Sequence, residues 1–206
     1  MTLANKITLS RTFFGITLFF FIKHDNITLL IISFILLILL SISDFIDGKI
    51  ARETNTATKF GAIVDPYADK IVVFSCYLAF ADIKELQIPI FAIFLIILRE
   101  LTVASLRVLA ALDNFVLKAE KSGKFKTLFQ FISIYLILIY LIIKNLSHSN
   151  TNLERIIAKL HTLPSILMLI TATITMISGI IYVLNHYKMI KRQWGNDIPP
   201  KKEEGN

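Results

Sequence analysis

Asp44, Asp47, Asp65 and Asp69 fall in the stretch SDFIDGKIARETNTATKFGAIVDPYADK, between long apolar runs. A carboxylate near hydrocarbon is costly unless something compensates it, so acids in such a setting mark a functional site. Asp44 and Asp47 are spaced i,i+3, and Asp65 and Asp69 i,i+4, so each pair shares a helix face. Two antiparallel helices joined by a short loop would bring the two faces together. Four converging carboxylates repel one another, and a cation relieves that repulsion. Their hard oxygens suit Mg²⁺ or Mn²⁺. Gly48 and Gly61 allow a ligand or another backbone close approach, Ala51 is small, and Arg52 carries a fork suited to phosphate. Close helix packing is an equal explanation for Gly48. A solvated loop would account for Asp47 or Arg52 singly, but not for Asp44 and Asp69 inside apolar runs.

The elements that must position these residues are helices that cross a bilayer. More than half of the 206 residues are apolar, and a span takes about 20 such residues. Six spans are expected, at about Ile7–Ile22, Ile27–Ile50, Gly61–Ala81, Ile88–Leu112, Phe125–Ile143 and Leu163–Tyr187. Asn26, Pro89 and Pro164 mark element starts. The fold class is therefore an all-α integral membrane protein, a six-helix bundle over residues 1–187 with a polar tail over 188–206. No polar stretch is long enough for a soluble domain. The N-terminal apolar stretch continues past Phe21 with no small-residue cleavage site, so the first helix is expected to be retained. Cys76 is the only cysteine, which excludes an intrachain disulfide.

Charge placement orients the bundle. An even number of spans puts both termini on one side, and that side collects most of the Lys and Arg, from Lys6 and Arg11 through Lys49, Arg52, Lys59 and Lys118–Lys126 to Arg192. The opposite loops hold Lys23, Lys84, Lys144, Arg155 and Lys159. The richer side is expected to be cytoplasmic, which places the aspartates at the cytoplasmic boundary. A net charge of +7 suits anionic headgroups or an anionic substrate. The four histidines are scattered and form no site, and nothing points to nucleic acid.

The pattern D-x2-D-G-x2-A-R-x8-G-x3-D-x3-D runs unbroken from Asp44 to Asp69. It resembles the signature of the CDP-alcohol phosphatidyltransferases. The flanking segments NKITLSRTFFG, FGAIVDPYADK, ILRELTVASLRV and SGKFKT look like the phosphatidylglycerophosphate synthase branch of that family, a likeness that weakens after the fifth span. The resemblance implies transfer of a phosphatidyl group from CDP-diacylglycerol to an alcohol, with release of CMP. It implies that Asp44, Asp47 and Asp65 ligate two divalent metals, with Asp69 both ligand and catalytic base. Gly48, Ala51, Arg52, Asp44 and Gly61 would line the CDP-diacylglycerol site. A homodimer in a bacterial plasma membrane, with a cavity facing the cytoplasm, is implied as well.

For that branch the acceptor is glycerol 3-phosphate, a dianion that needs a basic site. Arg99 and Arg107 lie in the fourth span, and buried arginines require partners. An ion pair with Glu100, or snorkelling to the membrane edge, would satisfy them equally. Lys59 and Lys124 are further acceptor candidates, against the plainer reading of cytoplasmic lysines. Asn5, Thr8 and Arg11 either contact the nucleotide or cap the first helix. Within the family, serine, inositol or inositol phosphate are alternative acceptors. An aspartate-rich prenyltransferase would carry two separated acid clusters and more helices. A cation transporter would leave Gly48, Ala51, Arg52 and Gly61 without a role.

Overall fold

The computed structural model describes residues 3–53, 59–112, 121–147, 151–187 and 191, with side chains placed at 9–43, 67, 70–108, 123–147, 152–187 and 191. Every regular element among the described residues is helical. The α-helices are α1 Leu3–Lys23, α2 Ile27–Glu53, α3 Lys59–Asp82, α4 Ile90–Leu112, α5 Lys121–Ser147, α6 Thr151–Lys159 and α7 Leu163–Asn185. A single 3-10 turn, Lys84–Leu86, precedes α4.

Local chemistry sets the breaks. Asp25 takes a left-handed φ of 45° between α1 and α2, a conformation that its short polar side chain tolerates. Asn26 then caps α2, its Oδ1 accepting the Thr28 N–H at 2.9 Å. Pro89 precedes α4 and its carbonyl accepts the Ala92 N–H at 2.9 Å. Pro164 sits in the first turn of α7, where a missing N–H costs nothing.

Six of these helices stand where six spans were expected. Among the described residues, two stretches are long and apolar enough to cross a bilayer, Gly123–Ser147 and Asn152–Asn185, and Ile27–Ser43 is a shorter apolar helix. The reason the others fall short is partly legible: α4 carries Arg99, Glu100 and Arg107 along its length, and α3 carries Asp65, Asp69 and Lys70. The outer surface is apolar, with Phe13, Phe20, Leu39, Phe91, Ile180 and Leu184 all more than half exposed. α6 was not anticipated, although Leu153, Ile156, Ile157 and Leu160 repeat at helical spacing.

The bundle is organised around two contacts. α1 lies along both α3 and α2, and α5 touches α2, α3, α6 and α7, while α4 rests on α7 and α3. At Gly15 the backbones of α1 and α3 come close enough that an added Cβ would sit 3.1 Å from Val72 Cγ2. Leu18, Ile22, Leu37, Tyr77, Phe80 and Ile137 fill the interior. Cys76 packs there too, fully buried.

Polar contacts define two ends. At one end Lys144 and Asn145 of α5 hold Asp25 of the α1–α2 turn at 3.1 and 2.9 Å. Lys144 also pairs with Glu85 before α4. Ser165 of α7 donates to the carbonyl oxygens of Leu86 and Gln87 at this same end. The start of α5 is therefore at the other end, with the start of α3 and the finish of α2.

Candidate active site at the aspartate end

The backbone places Asp44 and Asp47 one turn apart near the finish of α2, and Asp65 and Asp69 one turn apart in the first half of α3. Both pairs thus belong to the same end of the bundle. Their side chains lie outside the described ones, as do those of Asn5, Thr8, Gly48, Ala51, Arg52, Lys59 and Gly61. Among the side chains that are described, no three of His, Cys, Asp and Glu converge as a metal site. The chemistry of the four-aspartate donor set, hard and anionic, fits Mg²⁺ or Mn²⁺.

One residue beyond Asp69 begins a buried polar cluster. Glu100 of α4 is its hub, with a 7% exposed side chain. Lys126 of α5 pairs with its carboxylate. Arg99 Nη1 lies 3.5 Å from Oε1, and Lys70 Nζ of α3 lies 3.9 Å from Oε2. Gln130 Nε2 donates to Oε1 at 3.3 Å, and Lys70 donates to the Glu100 backbone carbonyl at 3.2 Å. Among the described side chains three basic groups, Lys70, Arg99 and Lys126, face one carboxylate. Basic groups gathered in this way suit a phosphate. Lys70 retains the most surface of the four, at 22%, so the cluster is most accessible along α3.

Neighbouring contacts hold the cluster in place. Arg99 Nη2 donates to Ser178 Oγ of α7 at 2.9 Å. Gly179 makes room for the stem of Arg99, because a Cβ there would lie 2.6 Å from Arg99 Cγ. Tyr77 OH of α3 donates to the Gln130 carbonyl at 3.3 Å and lies 3.1 Å from Ser133 Oγ, tying α3 to α5. Between α4 and α7 runs an apolar groove of about 260 Å³, lined in part by Leu98, Arg99, Thr102, Val103, Gly179 and Ile180.

The structure sorts the basic candidates. Arg99 is buried and joined to Glu100, the alternative allowed by its sequence neighbour. Arg107 is exposed rather than buried, with its guanidinium 5.7 Å from the ring centre of Tyr182. It stays apart from the Glu100 cluster. Lys124 is exposed, whereas Lys126, two residues on, is buried. Arg11 is buried in α1. Lys70, Lys126 and Gln130 were missed as site residues. Their signal was periodicity: Lys126, Gln130, Ser133 and Ile137 repeat at i, i+4, i+7 and i+11, a face that ends in core.

Known proteins resemble the chain over most of its length. A profile of the CDP-alcohol phosphatidyltransferases matches residues 1–183. A CDP-diacylglycerol–glycerol-3-phosphate 3-phosphatidyltransferase of Aquifex aeolicus is 27% identical over 193 residues, covering 94% of this chain and 100% of that protein. Proteins of the same name from Rickettsia bellii and Bacillus subtilis are 32% and 35% identical. The match covers 72% of this chain and 75% of the Rickettsia protein, but only 52% and 54% for the Bacillus pair. With the unbroken aspartate pattern on two successive helices and a profile match over nearly the whole chain, the chain belongs to the CDP-alcohol phosphatidyltransferase family.

Proposed function

We propose that the chain transfers the phosphatidyl group of CDP-diacylglycerol to the sn-1 hydroxyl of glycerol 3-phosphate, giving phosphatidylglycerophosphate and CMP. The observation that carries the choice of acceptor is the gathering of the basic side chains Lys70, Arg99 and Lys126 around Glu100, adjoining Asp69 in the chain. Charge-assisted contacts from such a group suit a dianionic phosphate, and an uncharged alcohol such as inositol offers nothing comparable. The names of the relatives support the same acceptor.

In this reading Asp44, Asp47, Asp65 and Asp69 hold two divalent ions, Mg²⁺ or Mn²⁺. When bound, those ions neutralise charge on the diphosphate and polarise its phosphoryl oxygen. Gly48, Ala51, Arg52 and Gly61 line the cytidine diphosphate, and Asn5, Thr8 and Arg11 stand on its nucleotide side. Lys70, Arg99 and Lys126 hold the acceptor phosphate, with Lys59, Arg107 and Lys124 nearer its approach. Asp69 accepts the proton of the acceptor hydroxyl as its oxygen attacks the lipid-bearing phosphorus. The bond to CMP breaks, and CMP carries away the electron pair. Six spans, both termini in the cytoplasm, an active site on that side of a bacterial plasma membrane and a homodimer complete the proposal.

The test is CMP release by purified protein given CDP-diacylglycerol, Mg²⁺ or Mn²⁺, and one acceptor at a time. Release with glycerol 3-phosphate alone is expected. Release with serine or inositol would remove the acceptor assignment, release with inositol phosphate would keep the phosphate site but change its substrate, and no release from folded protein would remove the activity.

A further inference from the structure

α6 lies between α5 and α7, at the start of the apolar stretch Asn152–Asn185 and at the end of the bundle away from the aspartates. At 3.6 residues per turn, Leu153, Ile156, Ile157 and Leu160 share one face and Glu154, Arg155 and Lys159 the other. The apolar face divides. Ile157 packs against the core and Leu153 is half-buried, whereas Ile156 is 52% and Leu160 41% exposed. The charges divide with it. Arg155 and Lys159 border the free edge of Ile156 and Leu160, and Glu154 lies on the docked side. All three charged residues are exposed.

We infer that α6 is an interfacial helix whose free edge lies in the lipid surface. Ile156 and Leu160 enter the upper acyl region, and Arg155 and Lys159 meet lipid phosphates. A helix tethered between two spans is held at the depth of the headgroups, and a basic border beside exposed apolar residues complements an anionic lipid surface. Asn145 and Lys144 of the preceding helix grip Asp25, and Ser165 of the following one grips the loop at Leu86 and Gln87. The depth of α6 is thereby passed to the whole bundle. This inference rests on the chain being membrane-embedded, and the test separates the two.

Trp194 is the only tryptophan. In a Trp194→Phe background, Ile156→Trp, Ala158→Trp and Ile177→Trp place one fluorophore on the free edge, the polar face and an exposed position of α7. The full chain is reconstituted into vesicles of phosphatidylcholine and phosphatidylglycerol carrying bromine high or low on the acyl chains. Ile156→Trp should emit in the blue and lose about half or more of its emission to the high bromines, as expected at an acyl boundary. Ala158→Trp should emit like tryptophan in water. Water-like emission from Ile156→Trp, with Ile177→Trp quenched, overturns the role of α6 and leaves the chain in the membrane. Blue emission that no bromine quenches also overturns it and assigns the edge to a second copy of the chain. An unquenched Ile177→Trp overturns the membrane reading and this inference together.

Discussion

Removing Glu100 and removing Lys126 should have opposite signatures, although the two residues form one ion pair. The carboxylate faces Lys126, Arg99 at 3.5 Å and Lys70 at 3.9 Å. Each such contact near 4 Å represents about 4 kcal/mol of gross attraction at an effective dielectric of about 20. Glu100→Gln removes all three at once and leaves the basic groups without this carboxylate. Taking away the charged partner of a buried ion costs about 3–5 kcal/mol, which in a chain of this size lowers Tm by roughly 6–20 °C. Lys126→Met leaves Glu100 with Arg99 and Lys70 and removes one basic group from the cluster. Its Tm should move by less than about 3 °C, in either direction.

Cys76 supplies the assay. It is the only cysteine and is fully buried, so a thiol-reactive dye reports opening of the bundle as the protein is heated in detergent. Activity should follow the reverse order of expectation for a structural ion pair: Lys126→Met, near wild type in stability, should raise the KM for glycerol 3-phosphate by about tenfold or more, the loss of one charge-assisted contact of about 1.5–3 kcal/mol. If Lys126→Met proves as unstable as Glu100→Gln and its KM is unchanged once folded, the lysine is a structural partner and its assignment to the acceptor phosphate fails.

Three other predictions concern the same end of the bundle. Asp69→Asn should abolish CMP release with the dye-monitored Tm retained; near-normal turnover would remove Asp69 as base. Gly179→Ala should displace Arg99, whose Cγ the new Cβ would meet at 2.6 Å, costing about 1–3 kcal/mol of stability and raising the KM for glycerol 3-phosphate, whereas Gly15→Ala, tight against Val72 at 3.1 Å, should lower Tm and leave KM unchanged. Arg107→Ala should raise the KM for glycerol 3-phosphate more than that for CDP-diacylglycerol, and an equal rise in both would assign it to packing on Tyr182.

Helix positions were legible because breakers and long apolar runs act locally. Asn26, Pro89 and Pro164 each mark a start that a cap or a missing N–H explains. That the aspartate pairs fall on two successive helices was legible for a related reason, since the apolar runs beside them form those helices. The cation cluster was less so. Arg99, Glu100, Lys70 and Lys126 come from three helices, and no spacing in one segment says which faces meet. Lys124 and Lys126 differ by two residues and so by more than half a turn, which is why one is exposed and the other buried. α6 escaped notice for the opposite reason: nine residues are too few to register against the longer apolar runs on either side.

Asp69 and Lys70 are successive residues of α3, one in the aspartate set and the other in the cation cluster. Successive positions on a helix are about 100° apart, so the acid and the cation occupy adjacent sectors of α3. Under the proposed reaction this single step in the chain is the border between donor and acceptor. A phosphate anchored beside Lys70 brings its hydroxyl to the neighbourhood of Asp69 without help from a mobile loop. The proposed reaction also gives the buried Glu100 a use beyond pairing. Its carboxylate lowers the positive charge that Lys70, Arg99 and Lys126 present, and so disfavours the diphosphate of the donor at the acceptor position. Glu100→Gln, stabilised enough to assay by low temperature, should therefore bind CDP-diacylglycerol in an inhibitory second mode, seen as substrate inhibition at high donor concentration. Unaltered donor kinetics in that variant would show that the carboxylate holds the helices together and has no part in telling the two phosphates apart.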